Sequence, residues 1–311
     1  MIILGFVLAV GWRWHFKTMA TRADFIEMTT RMDALRKQQI MPGNTVVMAA
    51  PGQQKQEKPS MLMADARPLR FDFTASVVPD RSVIESLPIV NAGSIITEAN
   101  QIIKKYTSTP NWKDRLMYVH DPNRVKILMQ DFYEVQHAVD PVMGALMDQA
   151  RYRINNTEIV LMTYRSGRLE GKLEVALRKN EDGRLVLDWE SYTGYSEKPF
   201  VELMKTKSSK PVLIRALVKL DDYYKFEFEN SKEYISLKIN AADSKEAIHA
   251  YCKRDSTLGN WIKKDLGDDP SSSLVKGYTL WVAYPPNAKS NDCLNLVQVA
   301  AGRWLIVPPK E

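Results

Sequence analysis

TEIVLMTYRSGRLEGKLEVALRKNEDGRLVLDWESY, residues 157–192, alternates apolar and polar side chains along three runs separated by turn residues, and that period of two decides the fold class. Thr157 to Arg165, Lys172 to Lys179 and Arg184 to Tyr192 are predicted as strands. Ser166-Gly167 and Asn180-Glu181-Asp182-Gly183 join them, and both are hairpin chemistry. Successive side chains of a strand point to opposite faces, so Leu173, Val175 and Leu177 share one face. Leu185, Leu187 and Trp189 do the same on the next run.

Upstream the period changes to that of helices. Ile95, Ile96, Ala99, Ile102, Ile103 and Tyr106 mark a first helix, with Ser94 placed to cap it. Trp112, Leu116 and Val119 mark a second behind Asn111 as N-cap. Asp121-Pro122 opens a third as N-cap and first helical residue, with Val125, Leu128, Met129 and Phe132 as its apolar stripe. A strand-like piece, Arg70 to Val78, precedes all three. Downstream, Val212 to Leu220, Tyr224 to Phe228 and Tyr234 to Ile239 read as strands, Ala247 to Leu266 as largely helical, and Tyr278 to Tyr284 and Leu294 to Val299 as strands. Three strands, a helix and two strands is the order of an OB-like barrel. The fold class expected is therefore α+β, with helices on an antiparallel sheet at 71–200 and a second β-rich domain at 201–311.

The first seventy residues have a different texture. Met1 to Trp12 is an uncharged apolar run, followed by Trp12, Trp14 and Phe16 interleaved with Arg13, His15 and Lys17, the mixture found where a helix leaves a membrane. Residues 1–17 are read as a transmembrane anchor contacting lipid. The run is short of the ~20 apolar residues that a bilayer core requires, so residues upstream of Met1 would complete the span. A core or amphipathic helix is the competing reading. Thr18 to Ile40 contains neither Gly nor Pro and carries Phe25, Met28, Met32 and Leu35 at heptad spacing, a stalk suited to pairing two copies or to lying flat as an amphipathic helix. Residues 41–70, with Pro42-Gly43, Pro51-Gly52, Pro59 and Pro68 and no apolar period, are expected to be a flexible linker.

Of the 311 residues 45% are apolar, enough for a real core. The net charge is +6, and five of those charges lie in residues 1–70, where a basic segment favours anionic headgroups. The body itself is nearly neutral, which speaks against nucleic acid as a partner. Positive charge after the span argues for a cytoplasmic body. Cys252 and Cys293 have no CxxC or Cys/His companions for zinc. They read as buried thiols or as a pair.

Three helices feeding a hairpinned sheet, Ser94 to Tyr192, resemble the NTF2-like cone. The runs Trp112 to Val125, Leu187 to Glu190 and Asp222 to Phe228 are similar to a group of uncharacterised membrane-anchored proteins of planctomycete and verrucomicrobial bacteria. The resemblance covers about two-thirds of the chain. It implies a single-pass anchor with the body outside the cytoplasm, and it carries no catalytic residue with it.

No GxSxG, GxxxxGK[ST] or HExxH occurs, and Gly167 to Lys172, GRLEGK, has the spacing of a turn. The candidate chemistry is Asp188-Trp189-Glu190. On a strand the two carboxylates stand about 7 Å apart on one face, opposite Leu187 and Trp189. That face is either wet or turned into a cone pocket with His120 or Tyr164, where low dielectric would separate the two pKa values for acid–base work. His120 and His137 otherwise read as capping or loop residues, and Asp221-Asp222-Tyr223-Tyr224 as part of a half-buried strand. No cofactor and no metal are indicated. The expectation is an anchored scaffold or binding protein of the cell envelope. The alternative is a hydrolase or isomerase that uses the Asp/Glu pair.

Overall fold

Two of the three predicted helices, those behind Asn111 and Asp121, start where their capping residues place them. The computed structural model describes residues 84–88, 92–168, 171–242 and 246–307, all within one compact unit, Pro59–Glu311. Helix α1 spans Ala92–Ser108, so Ser94 lies inside it instead of capping it. Helix α2, Trp112–Arg115, starts behind Asn111, whose side chain accepts from the Lys113 amide. Helix α3, Pro122–Gln130, starts behind Asp121, which sits at φ 49° and accepts from the Arg124 amide. It continues as a π turn, Asp131–Val135, and the stripe Val125, Leu128, Met129 and Phe132 is buried along its length.

The first sheet is an antiparallel meander in the order β1-β2-β3-β4-β5. Its strands are β1 Ile84–Ser86, β2 Leu146–Ile154, β3 Thr157–Arg165, β4 Lys172–Lys179 and β5 Leu185–Leu187. Strand β2 escapes the sequence pattern because Asp148, Gln149, Arg151 and Arg153 interrupt its apolar alternation. It is held by its ladder to β3 and by a tight turn at Asn155 and Asn156, with φ of 47° and 64°. Val160, Met162, Leu173, Val175 and Leu177 face the helices and form one core with Ala99, Tyr106 and Met129. Ile159 and Ala176, on the opposite face, pack against Leu305 and Val307 near the C-terminus.

The third predicted strand is a correction. It ends at Leu187, and Asp188 becomes the N-cap of a one-turn helix, α4 Trp189–Thr193, closed by Gly194 at φ 70°. The expected alternation of Asp188 and Glu190 against Trp189 therefore never arises, and all three side chains are buried.

Helix α5, Phe200–Thr206, leads into a closed five-stranded barrel in the order β10-β8-β7-β6-β9. The strands are β6 Val212–Asp221, β7 Tyr234–Asn240, β8 Ala247–Lys253, β9 Lys276–Ala283 and β10 Cys293–Ala301. Strands β8 and β10 pair in parallel, and the other barrel pairs are antiparallel. Helix α6, Thr257–Leu266, lies between β8 and β9 and buries Leu258, Ile262 and Leu266 in the barrel core. Three strands, a helix and two strands are present, but two segments differ from expectation. Tyr224 to Phe228 is a loop ending in a 3-10 turn, with Phe226 at φ 57° and Phe228 stacked on Tyr251. The predicted helix from Ala247 begins only at Thr257, because Ile248, Ala250 and Cys252 alternate into the barrel as β8. Ala and Cys carry little strand propensity, which hid that alternation.

Among the described residues no helix is long and apolar enough to cross a membrane. The anchor at 1–17, the stalk with Phe25, Met28, Met32 and Leu35, the linker at 41–70 and the strand-like piece at 70–78 lie outside the described residues.

Candidate functional site

Asp188 and Glu190 stand in a buried ionic network that joins the first sheet to the barrel. The cap geometry of α4 aims Asp188 at the Ser191 amide, 3.0 Å away, and its other oxygen pairs with Arg178 of β4. Glu190, one position into the helix, takes Arg124 of α3 on one oxygen and Arg215 of β6, at 3.1 Å, on the other. Arg215 is almost wholly buried and also donates to the carbonyls of Tyr195, 2.7 Å, and Trp304, 2.9 Å. Asp121 pairs with Arg124 at 3.0 Å, so three guanidinium groups meet three carboxylates. Burial raises the pKa of Asp188, but Arg178 and the Ser191 donors outweigh it and hold the carboxyl below its ordinary range. A proton-sharing acid–base pair needs one carboxyl raised, and this one is lowered.

His120 reaches the same network. Its amide donates to the Leu187 carbonyl at 2.9 Å, which sets the segment beside β5. Burial, then Arg178, lower its pKa against the pull of Asp188. Tyr164 is not part of this group: it lies in the helix-side core, and its hydroxyl donates to Asn100 at 3.2 Å. His137 is exposed, at φ 52° just past the π turn. Cys252 and Cys293 are buried free thiols, and burial pushes Cys252 up to about 12. The Asp221 carboxylate accepts from His249 Nε2 at 3.0 Å, and Tyr223 stacks on that ring. Among the described residues no cluster of three or more His, Cys, Asp or Glu is arranged to hold a metal ion.

The space beneath the helices is filled by Tyr106, Met129, Met162, Trp189, Tyr192 and Tyr195. An open cavity of about 500 Å³ lies instead on the other side of the sheet, between β2–β4, the barrel and the segment Gly302 to Leu305. Ile154, Ile159, Leu161, Leu217 and Leu305 supply its apolar wall. Trp304 positions the C-terminal segment: its indole donates to the Ala216 carbonyl at 3.1 Å. The ring lies so close to Gly194 and Gly277 that a Cβ at either would stand 3.1 Å from it. Arg168 lies over the same ring at 5.2 Å and donates to the Thr193 carbonyl at 2.8 Å.

Of the remaining cations on this wall, Lys172 pairs with Glu174 at 3.3 Å and Lys276 with Asp265 at 3.0 Å. Arg303 differs. Its carbonyl accepts from Thr279 at 2.8 Å, yet its side chain has neither a hydrogen bond nor an ion pair among the described residues, and its Nε is buried. Sequence reasoning missed this site because its walls come from the sheet's outer face and from a tail with no periodicity. The adjacency of Arg303 and Trp304 after the last strand was the one available signal. Comparison of the chain with family models, with curated proteins and with solved structures returns no match.

Proposed function

We infer that this protein is a non-catalytic binding protein, anchored to a membrane of the cell envelope by residues 1–17, whose ligand occupies the cavity between the first sheet and the barrel. One observation carries the reading: the volume beneath α1 and α3 is packed with aromatic rings, while about 500 Å³ lies open across the sheet. That is the size of small-molecule sites, which are largely apolar with a few placed polar groups. Helices over one face of an antiparallel meander support an NTF2-like layer with its pocket filled. The strand order of the barrel, with α6 between its third and fourth strands, supports an OB-type closure. Body placement outside the cytoplasm rests on the resemblance, and pairing of copies through the stalk on its heptads.

The enzymatic alternative draws less support, because Asp188 and Glu190 are each neutralised by arginine and lie in the network instead of in the cavity wall. A strand-binding barrel is also disfavoured. Phe228 covers Tyr251 and His249 covers Tyr223, both at 4.2 Å, so these ring faces are already taken.

The full chain should fractionate with membranes and resist alkaline carbonate. Mass spectrometry of the purified protein should detect a co-purifying small molecule that is lost in Leu161→Trp, where the larger ring fills the cavity. A turnover abolished by Glu190→Gln at unchanged thermal stability would sink the binding reading in favour of the enzyme.

A further inference from the structure

We propose that the cavity takes an amphipathic anion, one carboxylate or phosphate head at Arg303 with its alkyl body along Ile154, Ile159, Leu161 and Leu305. The inference deepens the binding reading above and rests on it.

Three observations converge. First, among the described residues the cavity wall carries four cationic side chains, Arg168, Lys172, Lys276 and Arg303, against the single carboxylate of Glu174. Second, the pairing within that set is uneven. Lys172 and Lys276 meet Glu174 and Asp265, and Arg168 is engaged by Trp304 and the Thr193 carbonyl. Arg303 has no partner for any of its donors among the described residues. Third, the backbone that follows that side chain is tied down. The Arg303 carbonyl accepts from Thr279, and the Trp304 carbonyl accepts from Arg215.

A half-buried guanidinium without a counter-charge is costly unless something satisfies its donors. Its planar fork matches the two oxygens of a carboxylate or phosphate. The apolar wall beside it excludes a bare inorganic anion as the best occupant, because such an ion would leave those side chains facing water. A neutral lipid would leave the guanidinium unpaired. A ligand that satisfies both surfaces has one anionic end and one aliphatic end.

The test immobilises the full chain and measures saturable binding of radiolabelled dodecanoate and, separately, of radiolabelled dodecanol. Dodecyl phosphate, acetate and inorganic phosphate serve as competitors. We expect one dodecanoate per chain, displaced by dodecyl phosphate, with dodecanol at least tenfold weaker and the two short anions at least a hundredfold weaker. Arg303→Gln should abolish the preference for dodecanoate over dodecanol while leaving dodecanol binding unchanged, which also reports an intact fold. Arg303→Lys should restore part of the preference. Leu161→Trp should remove binding of both.

Equal binding of dodecanoate and dodecanol, unchanged by Arg303→Gln but lost in Leu161→Trp, overturns the anionic inference and leaves the binding site standing. Inorganic phosphate competing as well as dodecyl phosphate overturns the amphipathic part. No saturable probe, or identical binding in Leu161→Trp, overturns the binding reading itself.

Discussion

At the scale of single residues, Glu190 and Trp189 lack the contrast that strand alternation suggests, because both are buried. Trp189 is 1% exposed, and Trp189→Ala should cost about 3–5 kcal/mol as a large-to-small core change. Glu190 is 8% exposed and shared between two arginines. Glu190→Gln should therefore be comparably damaging, about 3–5 kcal/mol, because it leaves buried guanidinium charge uncompensated. Urea denaturation of the two variants checks the pair; a Glu190→Gln protein as stable as wild type would mean that this carboxylate is wet. Buried titratable groups of both the first sheet and the barrel set a pH dependence. Burial lowers the pKa of both His120 and His249, so as pH falls the unfolded chain binds protons first. Their contribution is complete above about pH 6.5 and is lost as pH falls from there through the folded values. Asp188, depressed in the fold, acts lower, its contribution present above about pH 3.9 and lost below as pH falls through its folded value. Melting temperature against pH should flatten just below about pH 6.5 in the double variant His120→Gln with His249→Gln. In Asp188→Asn it should flatten only in the acid limb.

At the scale of elements, the caps at Asn111 and Asp121 and the bounds of β3 and β4 were legible, whereas the start of α1, the β2–β3 turn and the end of β5 were not. Asn111, Asp121-Pro122 and Asn180 to Gly183 act where the sequence places them, because each satisfies backbone groups within four residues of itself. The hairpin between β2 and β3 went unread, although Asn155-Asn156 is sound chemistry for two successive positive φ values. Asn156→Gly should hold or raise stability by a few tenths of a kcal/mol, since glycine adopts φ > 0 without steric cost. Asn156→Val should cost more than about 1 kcal/mol, because a β-branched side chain at φ 64° is strained. Equal melting temperatures for the two would place the turn elsewhere. The end of β5 was misread because Asp188 fits the alternation and is also a good N-cap, and the choice was made by Ser191 and Arg178.

At the scale of the described body, Arg215 joins parts that the sequence separates. It reaches Glu190, 25 residues away, and the Trp304 carbonyl, 89 residues away, so the barrel, α4 and the C-terminal segment share one side chain. Arg215→Met should lower stability by about 3–5 kcal/mol as a broken buried pair. It should also weaken the seat of Trp304, read as a red shift and increased quenching of tryptophan emission by acrylamide below the melting transition. Unchanged emission would mean that Trp304 is held by Gly194, Gly277 and Ala216 alone. Apolar period and capping chemistry by themselves determined the α+β class, the three helices ahead of the first sheet, the helix-facing set Leu173, Val175 and Leu177, and the order of strands and helix in the barrel, though not which segments supply it. These are interactions between neighbours a few positions apart, and they are written locally. Only the tertiary structure decided that Asp188 and Glu190 would be buried among arginines, that the space under the helices would be filled, and that a cavity would open beside Arg303. Those outcomes depend on which distant charge or ring arrives at a given surface, and no local pattern encodes that arrival.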